Sequence, residues 1–390
     1  MYARLLKPPN RSFFLFGPRG TGKTTWLGSS LPKAEARIDL LDSKVFLELA
    51  RDPSLLENRV AQGGRQGWIV IDEVQKIPAL LDEVHRLIES RGLRFALTGS
   101  SARKLRRGGA NLLAGRAVMR SMEPLGFKEL GKDFDLDRVL RWGGLPLIYS
   151  SPGDEADLLS AYVHTYLKEE VQEEGLIRKA DPFIRFLEVA GILNGQILNV
   201  ENVSREAGVP RASVHAYFSI LEDTLLGFRL PAYQPGARVR EAAHHKFYWV
   251  DPEIARGAAG WLDQPIDPVS RGFSLETWLF HELRLYNGIA GKNRSLFFYR
   301  TGSGVEVDFV IETEKKTLSK KASVVLVETK ASKKWDRRWG DAMRALASSK
   351  TVNVRSCYGV YLGKERYRFG DVEVLPLADF LEKLFAGQVF

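Results

Sequence analysis

A glycine-rich stretch from Gly17 to Thr24 is the most specific chemical feature of the 390-residue sequence. It follows an apolar run at residues 13–16 and consists of glycine, four residues and then Gly-Lys-Thr. Glycines let backbone N–H groups close around phosphate oxygens, and the start of the following helix favours an anion. Lys23 can reach the β- and γ-phosphates, and the Thr24 hydroxyl can ligate Mg²⁺. The residues that we expect to contact the nucleotide here are Gly17, Pro18, Arg19, Gly20, Thr21, Gly22, Lys23, Thr24 and Thr25.

A pair of carboxylates lies about fifty residues beyond this loop, where an apolar run at residues 68–71 ends in Asp72 and Glu73. Runs that are apolar throughout suit strands buried in a parallel sheet. Asp72 would hold Mg²⁺ through its water shell, and Glu73 would polarise the attacking water. An Asp-Glu pair can also begin an ordinary helix, but its place behind a P-loop favours the catalytic interpretation.

A further apolar run, at residues 95–98, predicts another strand, and Gly99 and Ser100 follow it. A polar residue just beyond a central strand lies beside the γ-phosphate of a bound nucleotide and can sense it. Thr98 or Ser100 could fill that role. A loop of small residues is the alternative interpretation.

The front of the chain resembles the AAA+-type ATPases of a widespread prokaryotic family, whose members carry a P-loop ATPase followed by a nuclease-like domain. The segments that carry the resemblance are residues 17–24, 68–76, 97–101, 113–116, 123–127 and the Gly-Gly-Leu-Pro turn at 143–146. The resemblance implies that Arg116 acts as an arginine finger or sensor, in cis or in trans, and stabilises charge on the transferring phosphoryl group. A solvated arginine is the alternative. A nearby basic cluster could face nucleic acid or solvent; it comprises Arg103, Lys104, Arg106 and Arg107.

The middle of the chain contains a helix-turn-helix pattern. Residues 204–210 favour a short helix that ends in a turn, residues 211–221 favour a second helix, and residues 225–231 could form a wing strand. The residues near the start of the second helix, where such motifs contact bases, are Arg211, Ser213 and His215. A winged-helix module that only packs against its neighbours is the alternative.

Two carboxylates and a lysine are spaced to converge in the last third of the chain. A glycine turn between alternating segments predicts a β-hairpin at residues 296–311, and the next strand is expected at residues 323–330. Glu328 and Lys330 are two residues apart and share one face of that strand, while Asp308 lies on a neighbouring strand if the two pair. Carboxylates hold Mg²⁺, and a lysine can orient water or a phosphate oxygen, as in metal-assisted phosphodiester cleavage.

This arrangement resembles the PD-(D/E)XK nuclease superfamily. Asp308 matches the family's aspartate, and Glu328-Thr329-Lys330 matches its Glu-x-Lys. The resemblance implies that Asp308 and Glu328 are metal ligands and that a helix glutamate, Glu276 or Glu282, joins them. A salt-bridged strand face in water is the alternative, because Glu-x-Lys is common on solvated strands.

Composition limits the remaining possibilities. A net charge of +9 favours polyanionic partners, so nucleic acid, most plausibly DNA, is the expected partner. One cysteine excludes an intrachain disulfide and favours a reducing cytoplasm. Apolar runs stay well below the roughly 18–20 residues of a membrane span, and the N-terminus lacks an apolar signal core, so no membrane association is expected.

The sequence thus predicts an α/β protein of three domains. Residues 1–130 should form an AAA+-like P-loop ATPase domain with a parallel sheet, residues 131–235 a helical lid with a winged-helix-like segment, and residues 236–390 a restriction-endonuclease-like α/β domain. The expected function is that of an ATPase that binds and hydrolyses ATP with Mg²⁺, associates with nucleic acid and carries a nuclease-like C-terminal domain that could cleave DNA with Mg²⁺. The alternative is an ATP-controlled DNA- or protein-binding switch whose nuclease-like domain is inactive. Assembly of a homo-oligomer through the ATPase domain is compatible with both.

Overall fold

The computed structural model describes residues 2–60, 67–100, 105, 113–167, 180–235, 245–301, 304–349 and 351–390. The chain divides into two compact units, where the sequence predicted three domains. The first unit comprises residues 1–125, 145–150 and 219–226, and the second comprises residues 126–144, 151–218 and 227–390. Most of the expected middle domain therefore belongs to the second unit. The basic residues Arg103, Lys104, Arg106 and Arg107 lie outside the described residues.

The first unit is built on a five-stranded parallel sheet with the order β2-β3-β4-β1-β5. Its strands are β1 (Phe13–Phe16), β2 (Ala36–Asp39), β3 (Trp68–Asp72), β4 (Arg94–Gly99) and β5 (Val118–Ser121). The apolar runs predicted β1, β3 and β4, and β1 is buried along its whole length. Strand β5 was not predicted, because its Val-Met-Arg-Ser sequence lies at a sheet edge and is half exposed.

Helices cover this sheet. They are α1 (Lys23–Ser30), α2 (Ser43–Arg51), α3 (Leu56–Arg59) and α4 (Leu80–Arg91). Helix α4 carries an apolar stripe and buries four leucine and valine side chains against the sheet core: Leu80, Leu81, Val84 and Leu87. A parallel sheet packed in this way brings the carboxyl ends of its strands to one edge, where ligands bind in open α/β sheets.

The second unit contains two sheets. A six-stranded sheet has the order β13-β14-β12-β11-β10-β9, and a three-stranded sheet has the order β6-β8-β7. Their strands are β6 (Gln196–Ile197), β7 (Gly227–Pro231), β8 (His245–Trp249), β9 (Ser295–Arg300), β10 (Glu306–Glu314), β11 (Ser323–Lys330), β12 (Asn353–Tyr361), β13 (Tyr367–Phe369) and β14 (Val372–Pro376). Strands β10 and β11 are antiparallel, with Phe309 opposite Val327, so the expected pairing of these strands is present.

The remaining helices are α5 (Phe127–Leu130), α6 (Leu136–Trp142), α7 (Pro146–Tyr149), α8 (Glu155–Ala161), α9 (Ala180–Ile192), α10 (Val200–Ala207), α11 (Arg211–Asp223), α12 (Pro252–Ala258), α13 (Pro268–Ile289), α14 (Asp341–Ser348) and α15 (Leu377–Phe385). Helix α8 continues as a π-helix, Tyr162–Leu167. Helix α13 begins after Asp267, whose carboxylate caps the first turn by accepting hydrogen bonds from the N–H groups of Val269 and Ser270. Among the described residues, no helix combines the length and the apolar character that a membrane crossing needs.

Candidate functional site

The P-loop connects the carboxyl end of β1 to the start of α1, as the sequence predicted. Gly20 and Gly22 have φ angles of 82° and 84°, a left-handed conformation that side chains with a Cβ rarely adopt. The Thr21 hydroxyl donates a hydrogen bond of 2.8 Å to the Pro18 carbonyl and braces the loop. The glycines therefore fix the curvature on which phosphate binding depends.

Lys23 lies across this loop. Its ammonium group donates hydrogen bonds to the carbonyl oxygens of Gly17, at 2.7 Å, and Pro18, at 3.1 Å. The side chain is buried, with 8% of its surface exposed. Positive charge is thus held at the loop, where the phosphates of a nucleotide would be neutralised.

Asp72 links the P-loop to the centre of the sheet. One carboxylate oxygen accepts a 2.7 Å hydrogen bond from the Thr24 hydroxyl, and the other accepts hydrogen bonds from the Thr98 hydroxyl and, at 3.1 Å, from the Glu73 N–H. Strand β4, which carries Thr98, lies between β3 and β1 and so places this hydroxyl beside Asp72. Thr98 is fully buried and positions Asp72, which leaves Ser100, just beyond the strand, as the better placed of the two predicted sensors.

Two hard oxygen donors, Thr24 and Asp72, therefore lie side by side next to the loop. A hydroxyl and a carboxylate are ligands that suit Mg²⁺ when it arrives with phosphate oxygens and water. The donor set fits a magnesium–nucleotide complex at this edge of the sheet.

Glu73 follows Asp72 in a left-handed conformation, with φ 58°. Its carboxylate accepts a hydrogen bond from the side-chain amide of Gln75. A non-glycine residue at positive φ is uncommon and costs conformational energy, so the turn is held by its surroundings. The sequence predicted Glu73 as a functional residue but gave Gln75 no role.

A cavity of about 480 Å³ adjoins the P-loop and was not predicted. Its lining is mainly apolar and comprises Tyr2, Ala3, Arg4, Leu6, Thr21, Gly22, Thr25, Trp26, Ser29, Ser30, Leu125, Pro146 and Ser150. The Trp26 indole N–H donates a 3.1 Å hydrogen bond to the Leu6 carbonyl and ties the N-terminal segment to α1. The segment carries no motif, so only its folded position identifies it as part of the site.

Arg116 does not lie with the P-loop. It precedes β5, at the amino end of a sheet whose carboxyl end carries the loop, and its guanidinium pairs with Glu89 near the end of α4. Because the sheet is parallel, these two ends lie on opposite edges. Within one chain the structure therefore does not bring Arg116 to the P-loop phosphates, and a role in cis is excluded by this geometry.

The second unit brings together the carboxylates and lysine that the sequence singled out. Strands β10 and β11 place Asp308 beside Glu328, and the Thr329 N–H donates a 2.7 Å hydrogen bond to the Asp308 carboxylate. Glu328 accepts a hydrogen bond from the Asp308 N–H at 3.3 Å and forms an ion pair with Lys330. The predicted convergence is present in the described structure.

Lys246, on β8, completes this acidic centre and was not predicted. Its ammonium group is almost fully buried and pairs with Glu276 of α13, at 2.8 Å, and with Glu306 of β10. The Tyr248 hydroxyl donates a hydrogen bond to the same Glu276 carboxylate. Lys246 belongs to no motif of the sequence, so only the pairing of strands identifies it.

Burial and mutual repulsion set the charges of this centre. Burial, together with the neighbouring Glu328, raises the pKa of Asp308 well above its usual value. Burial alone would lower the pKa of Lys246, but Glu276 and the other acidic groups around it raise that pKa well above its usual value. Lys246 is therefore charged throughout the physiological range, and Asp308 loses its proton at a higher pH than an exposed aspartate does.

The two carboxylates of this centre already have partners in the described structure. The Asp308 and Glu328 carboxylates are engaged by backbone N–H groups and by Lys330. Within the part of the chain that the structure describes, no three carboxylate, histidine or cysteine side chains are grouped so that they could hold a metal ion. The positive charge of this centre comes from two lysines.

Glu282, predicted as a metal ligand, lies elsewhere. It is fully buried on α13, one of its carboxylate oxygens accepts a 2.6 Å hydrogen bond from the Phe127 N–H, and burial raises its pKa well above the usual value. Glu276, six residues earlier on the same helix, is the glutamate that joins the acidic centre. Helical periodicity explains the difference, because a six-residue step turns a side chain to another face.

The predicted helix-turn-helix segment forms two helices, α10 and α11, joined at Gly208 in a left-handed turn with φ 63°. Arg211 and His215 are exposed near the start of α11, and Ser213 is half-buried. The Arg211 guanidinium forms a 2.7 Å ion pair with Glu201. A basic and polar surface is therefore present where the motif would contact a partner.

Comparison with protein-family models matches three successive segments of the chain. Residues 9–131 match a model described as an AAA domain. Residues 133–264 and 271–380 match two models described as domains of unknown function, DUF8612 and DUF4143. The front of the chain is thus an AAA-type P-loop domain, which indicates a nucleotide-binding ATPase.

Relatives and solved structures add no established activity. An uncharacterized protein of Mycobacterium tuberculosis is 27% identical over 322 residues, which are 80% of this chain and 70% of the relative. Another, of Methanocaldococcus jannaschii, is 24% identical over 341 residues, or 80% of this chain and 74% of the relative. The structure of Aeropyrum pernix ORC1 in complex with DNA matches 66% of this chain and 87% of that chain, with 14% identity and a TM-score of 0.24. Protein VC1899 from Vibrio cholerae matches 91% of this chain and 97% of that chain, with 13% identity and a TM-score of 0.19.

Proposed function

We propose that the first unit binds ATP with Mg²⁺ and hydrolyses it. The observation that carries this proposal is the contact between Thr24 and Asp72 beside a P-loop whose lysine is already in place. Four groups that nucleotide hydrolysis requires, Lys23, Thr24, Asp72 and Glu73, lie at one edge of the sheet. A glycine turn that arose by chance would not be expected to have the Asp72-Glu73 pair beside it.

Each group has a role in this proposal. Lys23 and the backbone N–H groups of the loop would neutralise the phosphates, and Thr24 and Asp72 would hold Mg²⁺, which would supply further positive charge to the transferring phosphoryl group. Glu73 accepts a proton from the attacking water. The cavity bordered by Tyr2 and Trp26 accepts the base and ribose, because it is apolar and opens beside the loop.

Binding and hydrolysis can be tested separately. Glu73→Gln should bind a fluorescent ATP analogue like the unaltered protein but release phosphate at least about a hundredfold more slowly, since it lacks the general base. Trp26→Ala should weaken nucleotide binding. Equal turnover by Glu73→Gln would remove Glu73 from the mechanism, and unaltered binding by Trp26→Ala would reject the base pocket.

For the second unit we propose the function of a binding domain with a nuclease-like strand arrangement and no cleavage activity. Lys246 pairs there with Glu276 and Glu306, and Lys330 pairs with Glu328, so lysines already neutralise the carboxylates of this centre. ATP turnover would then control DNA or protein binding. Mg²⁺-dependent DNA cleavage that disappears in Asp308→Ala would contradict this proposal and support the nuclease.

The DNA-binding part of the proposal rests on α9, α10, α11 and the three-stranded sheet. Helix α9, strand β6, helices α10 and α11, and strands β7 and β8 follow one another in the order of a winged helix, and the sheet order β6-β8-β7 suits that module. Arg211→Ala with His215→Ala should weaken binding to duplex DNA and reduce its salt dependence. A matched control is Arg355→Ala, an exposed arginine of β12. Equal loss in both variants, or no binding at all, would reject this surface.

Oligomerisation enters the proposal through Arg116. Because Arg116 lies on the edge opposite its own P-loop, any role in hydrolysis requires the loop of a second copy. Mixing Arg116→Ala with an inactive Lys23→Ala protein tests this, because each would supply what the other lacks. Recovered ATPase activity in the mixture supports action in trans. A mixture whose activity is only the sum of the two separate variants contradicts it.

A further inference from the structure

Gln75 is the polar side chain at the nucleotide edge for which the proposed roles give no account. It lies in a short 3₁₀ turn, Val74–Lys76, directly after the Asp72-Glu73 pair. Its side chain is 93% buried, since 7% of its surface is exposed. Burial of a carboxamide is costly unless both of its ends are hydrogen-bonded.

One end of this carboxamide has a partner. The side-chain nitrogen donates a hydrogen bond to a carboxylate oxygen of Glu73. The other end, the Oε1 oxygen, is buried and has no hydrogen-bond donor among the described residues. An acceptor without a donor is therefore held next to the proposed general base.

The location of this oxygen follows from Gly99. A Cβ added at Gly99 would overlap the Gln75 Oε1 atom, so the carboxamide lies directly over the end of β4. Gly99 pairs with Phe16, the last residue of β1 before the P-loop. The oxygen thus lies at the carboxyl edge of the sheet, between Glu73 and the strand that leads into the loop.

We propose that Gln75 and Glu73 together hold the attacking water, with the Gln75 nitrogen fixing the Glu73 carboxylate and the Gln75 oxygen accepting the second water hydrogen. This role deepens the proposed ATPase function and depends on it. A water has two hydrogens to donate, and the two acceptors are adjacent. Glycine at position 99 provides the space in which the carboxamide fits.

The chemistry balances with the groups already named. The water oxygen bonds to the γ-phosphorus while the bond from that phosphorus to the β,γ-bridging oxygen breaks, and ADP leaves with the electron pair. The proton released by the water passes to the Glu73 carboxylate and from there to solvent. Gln75 exchanges no proton and acts by orientation alone, which lowers the entropy cost of the attack.

The test is steady-state ATP turnover by the full chain with Gln75→Ala, together with ATP binding by the same protein. Turnover should fall by about tenfold to a hundredfold while KM for ATP changes by less than about threefold, since a water-orienting group acts in the transition state. Gly99→Ala should reproduce the loss, because its Cβ displaces the carboxamide. Lys76→Ala is the matched control, an exposed neighbour on the same turn, and should leave turnover unchanged.

Each result has a separate meaning. Unchanged turnover in Gln75→Ala would overturn the inference, and faster turnover would overturn it by identifying Gln75 as a restraint on Glu73. Loss of ATP binding in Gln75→Ala, with Gly99→Ala still fully active, would also overturn it, because the effect would then be structural. If the unaltered protein binds ATP but releases no phosphate, the proposed hydrolysis itself fails, and the role of Gln75 fails with it.

Discussion

Two fully buried acidic residues of the second unit, Asp251 and Glu253, should make its stability fall as pH rises. They stand at the end of β8 and the start of α12, and the Gly144 N–H donates a 2.7 Å hydrogen bond to Asp251. Burial raises the pKa of Asp251 to about 7, and burial together with Asp251 raises the pKa of Glu253 well above its usual value. The folded pair therefore keeps protons that the unfolded chain releases.

The size of the effect follows from proton linkage. Well below pH 4 both states are protonated, so the free energy of unfolding does not depend on pH through this pair. Above about pH 5 the unfolded chain has lost the Glu253 proton, and wherever the folded chain still keeps it the free energy of unfolding falls by about 1.4 kcal/mol per pH unit. Two pH units of this kind would cost roughly 3 kcal/mol.

The variant Glu253→Gln removes the contribution of the Glu253 proton to the pH dependence of stability. Glutamine cannot ionise, and its amide can donate to Asp251, so the variant should gain stability relative to the unaltered protein as pH rises. Urea unfolding at pH 5, 6 and 7, followed by intrinsic tryptophan fluorescence, to which buried Trp249 of this unit contributes, measures the difference. Glu201→Gln, an exposed acid of the same unit, is the control. A stability difference that stays constant from pH 5 to 7 would refute the reasoning.

Three further predictions concern the second unit. Lys246→Met should lower the stability of this unit by about 3–5 kcal/mol, because it leaves Glu276 without its cation. Lys330→Met, at a more exposed site, should lower the stability clearly less. Equal urea midpoints for the two variants would contradict this prediction. Gly143→Ala should lower the melting temperature, since φ is 66° and a Cβ would strike the Glu253 carboxylate, and the strain is worth about 1–3 kcal/mol. Removing divalent cations with EDTA should leave the urea midpoint of this unit unchanged, because lysines neutralise its acidic centre.

The sequence predicted the front of the chain well because its chemistry is local. The P-loop occupies eight consecutive residues, Gly17 to Thr24, and Asp72 ends a run whose apolar character marks a buried strand. Such short motifs indicate both the local backbone conformation and the ligand that binds to it. The convergence of Asp308, Glu328 and Lys330 was predicted because they lie on strands that pair directly.

The features that the sequence did not predict depend on contacts between residues that are far apart in the chain. Lys246 reaches Glu276 across thirty residues, and the cavity next to the P-loop is lined by the first residues of the chain, including Tyr2. No local periodicity records such contacts. Glu282 was misplaced for a related reason, since a glutamate pattern on a helix does not tell which helical face meets the acidic centre. The sequence around Arg116 resembles that of an arginine finger. In the structure Arg116 precedes β5 and therefore lies at the edge of the sheet opposite the P-loop.

Phosphate release from ATP by the full chain, with and without Lys23, tests the central proposal most directly. In the presence of Mg²⁺ the unaltered protein should hydrolyse ATP, and Lys23→Ala should reduce the rate by about 10²–10³-fold, because charge on the transferring phosphoryl group is no longer neutralised. Lys33→Ala, an exposed lysine of the same unit, should retain the full rate. Equal rates for Lys23→Ala and the unaltered protein, or no phosphate release by either, would contradict the proposed ATPase.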